Sequence, residues 1–291
     1  MRSRVPSHME HGYKMKYVQS GKLDGPTIIF IHGWPDTELV WKYQLEVLEA
    51  NYRCVCLMLP GYELDAAGSQ LPYFGISLEN IASDAADTVQ NEIMVDRPKA
   101  DDKPFLIAHD WGCTIGYMLT TDHPDLFKKC IMLDVAQDIG PSPLSAQLFF
   151  VAYQWTLIVI FLLPGFLGTP LAKGFAWFFG APDVGNVRQS MQHLYFQYWK
   201  AMFTGKLHRS WVEWIPPRCP VLYMYGTNPK PRIRPASAKW YSQRWLDHLE
   251  KTPGCDSIAV PADHWFYVRA PHRDKVNSQM LQFLSSPIPE S

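Results

Sequence analysis

Six short apolar runs, each closed by turn residues and parted from the next by stretches with helical spacing, restrict this chain to a narrow set of folds. Residues 25–36 (GPTIIFIHGWPD), 52–63 (YRCVCLMLPGYE), 105–110 (FLIAHD), 128–136 (KKCIMLDVA), 219–226 (CPVLYMYG) and 256–265 (DSIAVPADHW) read as buried strands running into turns. Between and after them, residues 37–49, 77–93, 111–123, 237–250 and about 271–284 carry helical spacing, the second opened by a Ser77 cap. Apolar strands that alternate with helices require a mostly parallel sheet covered on both faces, because strands buried on both sides have no polar face to turn to water. The expected class is therefore α/β.

Residues 139–214 break the rhythm. No charged residue occurs from Ile139 to Ala172, and the stretch is dense in Phe, Leu, Trp and Tyr. It reads as a helical cap inserted after a core strand, dividing the chain into a first core part (1–138), a cap (139–214) and a second core part (215–291). The run at 148–168 (LFFVAYQWTLIVIFLLPGFLG) is long enough to cross a bilayer. A single crossing would separate residue 110 from residue 264, so the expectation is a buried cap helix, with interfacial contact with a membrane as the second choice.

Charge and cysteine usage exclude other classes. A formal net charge of −1 offers no basic face for nucleic acid. Six cysteines include no C-x-x-C pair and no metal-like spacing, which suits reduced thiols in a cytoplasmic protein. The first residues lack an apolar leader segment, in keeping with that compartment.

The chemistry gathers at the turns. KPFLIAHDWGCTIGYML (103–119) is a strand, a sharp turn and a helix, with Asp110 at the tip where many hydrolases of this layout carry serine. HGWP, LPGYE, HDWG and ADHWF, in this order and at strand ends, resemble the α/β-hydrolase superfamily. More narrowly they resemble its aspartate-nucleophile branch, which contains epoxide hydrolases and haloalkane dehalogenases. The likeness runs from about residue 25 to the end, more loosely through the cap.

The resemblance implies an α/β-hydrolase fold, no metal or organic cofactor, and a set of roles. Asp110 would be the nucleophile, attacking an sp³ carbon and leaving an ester. His264 would be the base that activates water against that ester. Trp34 and Trp111 would supply oxyanion-hole amides, with a cis Trp34–Pro35 bond. The acid departs from the common pattern: after the strand 219–226 stands Asn228 in place of a carboxylate, so Asp134, and after it Asp138, become the candidates. Tyr153, Tyr195 and Tyr198 are candidate proton donors to an epoxide oxygen, the last two on one side of a helix. Halide release would instead need indole donors, from Trp111 and from a cap tryptophan such as Trp155, Trp177 or Trp199.

These residues lead to an epoxide on an apolar small molecule as the substrate. Haloalkane dehalogenation with the same nucleophile, ester hydrolysis, and a non-catalytic binding or membrane-docked homologue remain open, as does the oligomeric state.

Overall fold

The computed structural model describes residues 15–63, 74–97, 102–140, 143–227 and 238–289. Asn228 lies outside them. The sheet has seven strands: β1 (Lys16–Gly21), β2 (Thr27–Ile31), β3 (Arg53–Met58), β4 (Phe105–His109), β5 (Cys130–Leu133), β6 (Val221–Gly226) and β7 (Asp256–Val260). Their order is β1-β3-β2-β4-β5-β6-β7, with β1 antiparallel to β3 and every other pair parallel. Every residue of β2, β4 and β5 is buried, as their unbroken apolar sequence demands. This is the α/β-hydrolase arrangement expected from the sequence.

Helices α1 (Lys42–Leu48), α2 (Leu78–Thr88), α3 (Trp111–Asp122), α8 (Gln243–Lys251) and α9 (His272–Ser285) belong to the sheet-flanking set. Ser77 caps α2 as expected: its hydroxyl accepts from the Asn80 amide at 3.1 Å, and Asn80 Oδ1 accepts from the Ser77 amide at 3.0 Å. Between β5 and β6 the regular elements are all helical: α4 (Leu144–Leu162), α5 (Gly165–Phe179), a 3₁₀ turn, α6 (His193–Thr204) and α7 (Arg209–Val212).

Three expectations change. The strand β1 has no clear sequence signal, because most of its residues are exposed and only its pairing with β3 makes it a strand. The helix expected over 237–250 starts at Gln243. The loop after β5 takes the preceding backbone: the Ala136 amide donates to Trp240 O at 2.9 Å and the Ser242 amide to Asp138 O at 2.8 Å. Ser242 then caps α8 through the Trp245 amide.

The third change concerns the apolar run at 148–168. It is not one helix, since Pro164 forces Leu163 into an extended conformation and ends α4. Nor is it buried, because only 28% of an 18-residue window of the helix Leu144–Leu162 is inside. Of α4, only Ala146, Leu157, Ile158, Ile160 and Phe161 are fully covered.

The LPGYE turn fastens these helices to the sheet. Tyr62 Oη donates to Met191 O at 2.5 Å, His193 Nε2 donates to Pro60 O at 2.8 Å, and Ser190 Oγ donates to Gly61 O at 3.2 Å. Arg188 donates to Glu63 O.

Candidate active site

Asp110 stands between β4 and α3 with φ 53° and ψ −120°, a conformation that L residues seldom adopt. The turn is tight because two glycines permit close approach. A Cβ on Gly33 would sit 2.5 Å from the Asp110 side chain, and one on Gly112 would sit 2.1 Å from Ile31 O. Here the glycines serve packing, since neither backbone needs a positive φ. The strain lifts the carboxylate clear of the sheet and points it at amides. Trp34 N–H donates to Asp110 Oδ1 at 2.8 Å, and the Trp111 amide also bonds the carboxylate. The Trp34–Pro35 bond is cis.

His32 ties this loop to its neighbour. Burial holds its ring neutral, with the pKa pushed down to about 4. The neutral ring can therefore accept the Leu59 amide at Nε2 (3.2 Å) and donate from Nδ1 to Gly33 O (3.2 Å).

His264 arrives on the loop after β7. Asp263 Oδ1 accepts from the Trp265 amide at 3.1 Å and from Arg269 Nε at 2.8 Å, which fixes the backbone on either side. His264 Nε2 lies 3.5 Å from Asp110 Oδ2, and Nδ1 lies 2.5 Å from Asp134 Oδ2. Asp134, with φ 68°, is 2% exposed and receives the Gly226 amide on Oδ1 at 2.8 Å. Asp138 is engaged elsewhere: Arg244 Nη2 donates to it at 2.7 Å and Ser242 Oγ also donates. Of the two candidate acids, Asp134 is the one that meets the imidazole.

The electrostatics follow from this line of three groups. Burial opposes charge on His264, yet the Asp134 and Asp110 carboxylates outweigh it and raise the pKa to about 10. Burial likewise works against the charge of Asp110, but His264, His109 and the Trp111 amide overcome it and leave the pKa below its usual value. At neutral pH the resting site is thus an imidazolium held between two carboxylates.

A cavity of about 300 Å³ opens over Asp110. Tyr153 and Gln154 of α4, and Tyr195 and Tyr198 of α6, form one wall, with Trp111 and Trp240 among the other aromatic residues. The Tyr153 and Tyr195 rings meet edge to face at 5.9 Å, as do the Trp111 and Tyr195 rings at 5.1 Å. Burial, with added repulsion from Tyr153 and Asp110, lifts the Tyr195 pKa well above 10, so this hydroxyl keeps its proton. Tyr198 packs against Trp211 at 5.3 Å on the same wall. Of the tryptophans considered as halide donors, Trp111 lines the cavity and Trp155, Trp177 and Trp199 do not. Trp155 and Trp177 are exposed, and the Trp199 indole donates to Gln154 Oε1 at 2.8 Å.

The sequence assigned no role to a further set of residues behind Asp110 and His264. His109 Nε2 lies 3.1 Å from His264 O, and its Nδ1 lies 3.0 Å from Tyr267 Oη. The Trp265 indole donates to the buried Asp36 at 2.8 Å. The only available signal was adjacency, since Asp36 follows HGWP and Tyr267 follows DHWF.

Residues 28–276 match the alpha/beta hydrolase family. The chain belongs to that family. Within it, this α/β hydrolase is 28% identical over 122 residues to Epoxide hydrolase 1 of Caenorhabditis elegans, a stretch that makes up 42% of this chain and 28% of that protein. The chain thus spans less than a third of that curated relative's length. An inhibitor complex of an epoxide hydrolase from Bacillus megaterium superimposes with a TM-score of 0.64 at 19% identity, covering 94% of this chain and 97% of that one. A haloalkane dehalogenase DbeA-M1 loop variant from Bradyrhizobium elkanii does so with a TM-score of 0.60 at 17% identity, covering 93% and 94%. The two solved structures speak for the shared fold; the sequence match adds a likeness to epoxide hydrolases.

Proposed function

We propose that this α/β hydrolase opens an epoxide on an apolar small molecule to a diol by way of an ester on Asp110. The observation that carries the reading is one cavity with the Asp110 carboxylate on its floor and the Tyr153 and Tyr195 hydroxyls on its wall. In the first step Asp110 Oδ2 attacks an epoxide carbon. The carbon–oxygen bond breaks, and the departing oxygen takes its proton from Tyr153 or Tyr195. Before the second step the His264 imidazolium gives its proton to the tyrosinate, and the neutral ring then takes a proton from water. The hydroxide attacks the Asp110 carboxyl carbon, the Trp34 and Trp111 amides bind the oxyanion, collapse expels the diol oxygen with a proton from His264, and the Asp110 carboxyl returns its proton to His264. The net change is the addition of one water.

Asp134 orients His264 and stabilises its charge. Asp134→Asn is expected to slow ester hydrolysis by roughly 10²–10⁴-fold while leaving ester formation nearly intact. Asp138→Asn, by contrast, should perturb only the contacts with Arg244 and Ser242. Single-turnover kinetics separate the two steps, and equal losses in both variants would remove Asp134 from this role.

The aromatic wall suits apolar substrates of modest size. Halide as the leaving group is less well served, because Trp111 is the one halide-donor candidate that lines the cavity and the exposed Trp155 and Trp177 lie away from it. The test is a paired panel of epoxides and haloalkanes, assayed for diol and for halide. Diol is expected for the epoxides, and Tyr153→Phe and Tyr195→Phe should each slow ester formation by about 10–10²-fold. Halide release with no diol would reverse the reading. Turnover in heavy-oxygen water should place label in the Asp110 carboxylate, whereas a non-catalytic binder acquires none.

A further inference from the structure

The outward face of the helices over the cavity is apolar where a soluble surface would be polar. Along α4, Leu144, Leu148, Val151, Trp155, Val159 and Leu162 are exposed, at spacings of three and four that set them on one side of the helix. The neighbouring α5 continues the face with Phe166 (77% exposed), Leu171 and Trp177 (73% exposed). On the other side Trp155 packs against Trp199 and Phe203 of α6, and Phe203 is itself exposed. The exposed sides of α4 and α5 thus offer water an apolar surface with two tryptophans in it, which marks an interaction site.

Charge decides among the partners. The segment 139–214 carries five basic residues against two acidic ones, although the whole chain has a net charge of −1. Lys173 lies on α5 between the exposed Leu171 and Trp177, and Lys206 follows the exposed Phe203 by three residues. Neither lysine is in an ion pair among the described residues. A two-fold contact between copies would place the same two lysines on both sides of the seam. An anionic bilayer would attract it and repel the net negative remainder, which also orients the molecule. Exposed tryptophans beside lysines are the side chains that settle at the headgroup boundary.

We infer that this face docks the protein peripherally on a lipid bilayer bearing anionic headgroups, with α4 and α5 lying in the interface. Tyr153 and Gln154, which line the cavity, belong to the helix in contact with lipid, so docking brings the cavity beside apolar molecules dissolved in the membrane. That consequence rests on the proposed reaction; the docking does not.

The test is flotation of the purified full chain with vesicles of phosphatidylcholine alone and of phosphatidylcholine with phosphatidylserine. The wild type should float with the anionic vesicles, and less with the neutral ones. Trp155→Glu combined with Trp177→Glu should lower partitioning to both by roughly tenfold or more. Lys173→Glu combined with Lys206→Glu should lower it about tenfold on anionic vesicles only. All four positions lie outside the site, and an unchanged melting temperature shows that the variants fold. Wild-type protein that stays in solution, or floats regardless of the tryptophan pair, overturns the inference. Anionic binding indifferent to the lysine pair overturns the choice of an anionic surface. Light scattering should report a monomer without vesicles. A stable dimer that the tryptophan pair dissociates, with no vesicle binding, assigns the face to a second copy instead.

Discussion

Asp110→Asn is expected to abolish turnover, with a loss of roughly 10⁴-fold or more in kcat/KM. In the proposed reaction the carboxylate makes the new bond, so its removal deletes a step and does not merely weaken one. Asparagine is the informative replacement because it tolerates the positive φ of this turn better than most residues. It keeps the volume and can still accept from the Trp34 amide, but it lacks the charge that attacks carbon. Asp110→Ala should be equally inactive and additionally destabilised, by about 1–3 kcal/mol, since alanine at φ 53° keeps the strain and loses the hydrogen bond. Steady-state assays with thermal melts distinguish these effects. An Asp110→Asn variant that still opens epoxides would mean that some other group attacks.

His264→Gln is expected to form the ester and then stop. Ester formation needs the carboxylate and a proton donor, both of which remain; ester hydrolysis needs a base, which is gone. The variant should therefore show one burst per active site, a covalent adduct on Asp110 by mass spectrometry, and a hydrolysis rate reduced by roughly 10³-fold or more. The pH dependence tests the same assignment in the wild type. In the resting site His264 is held protonated, with a pKa of about 10, partly by the charge of Asp110. Esterification neutralises Asp110, so that contribution disappears and the His264 pKa falls. Since the neutral ring is the base, hydrolysis should accelerate as pH rises and level off above this lowered pKa, below pH 10. Hydrolysis that slows with rising pH, or a histidine variant that accumulates no adduct, would falsify the role given to His264.

Much of this site is visible in the chain because its parts are local. The turn at Asp110 follows from an apolar strand that meets a helix rich in small residues, and HGWP and ADHWF announce strand ends without any knowledge of their neighbours. Six of the seven strands are legible for the same reason, as buried apolar runs. The exception is β1, whose residues are mostly exposed; it becomes a strand by pairing with β3. The start of α8 was likewise misplaced, because it depends on hydrogen bonds from the loop after β5.

Sequence alone determined the α/β class, the order of the strands along the chain, and the turn that presents a carboxylate, since each depends on periodicity and turn chemistry within a few residues. Tertiary structure decided which acid meets His264, choosing Asp134 while Arg244 and Ser242 hold Asp138. It also decided that the apolar α4 turns one side outward and does not bury itself. Composition records that a side chain is apolar or acidic. What lies opposite it is set by segments a hundred residues away, and no local pattern encodes that meeting.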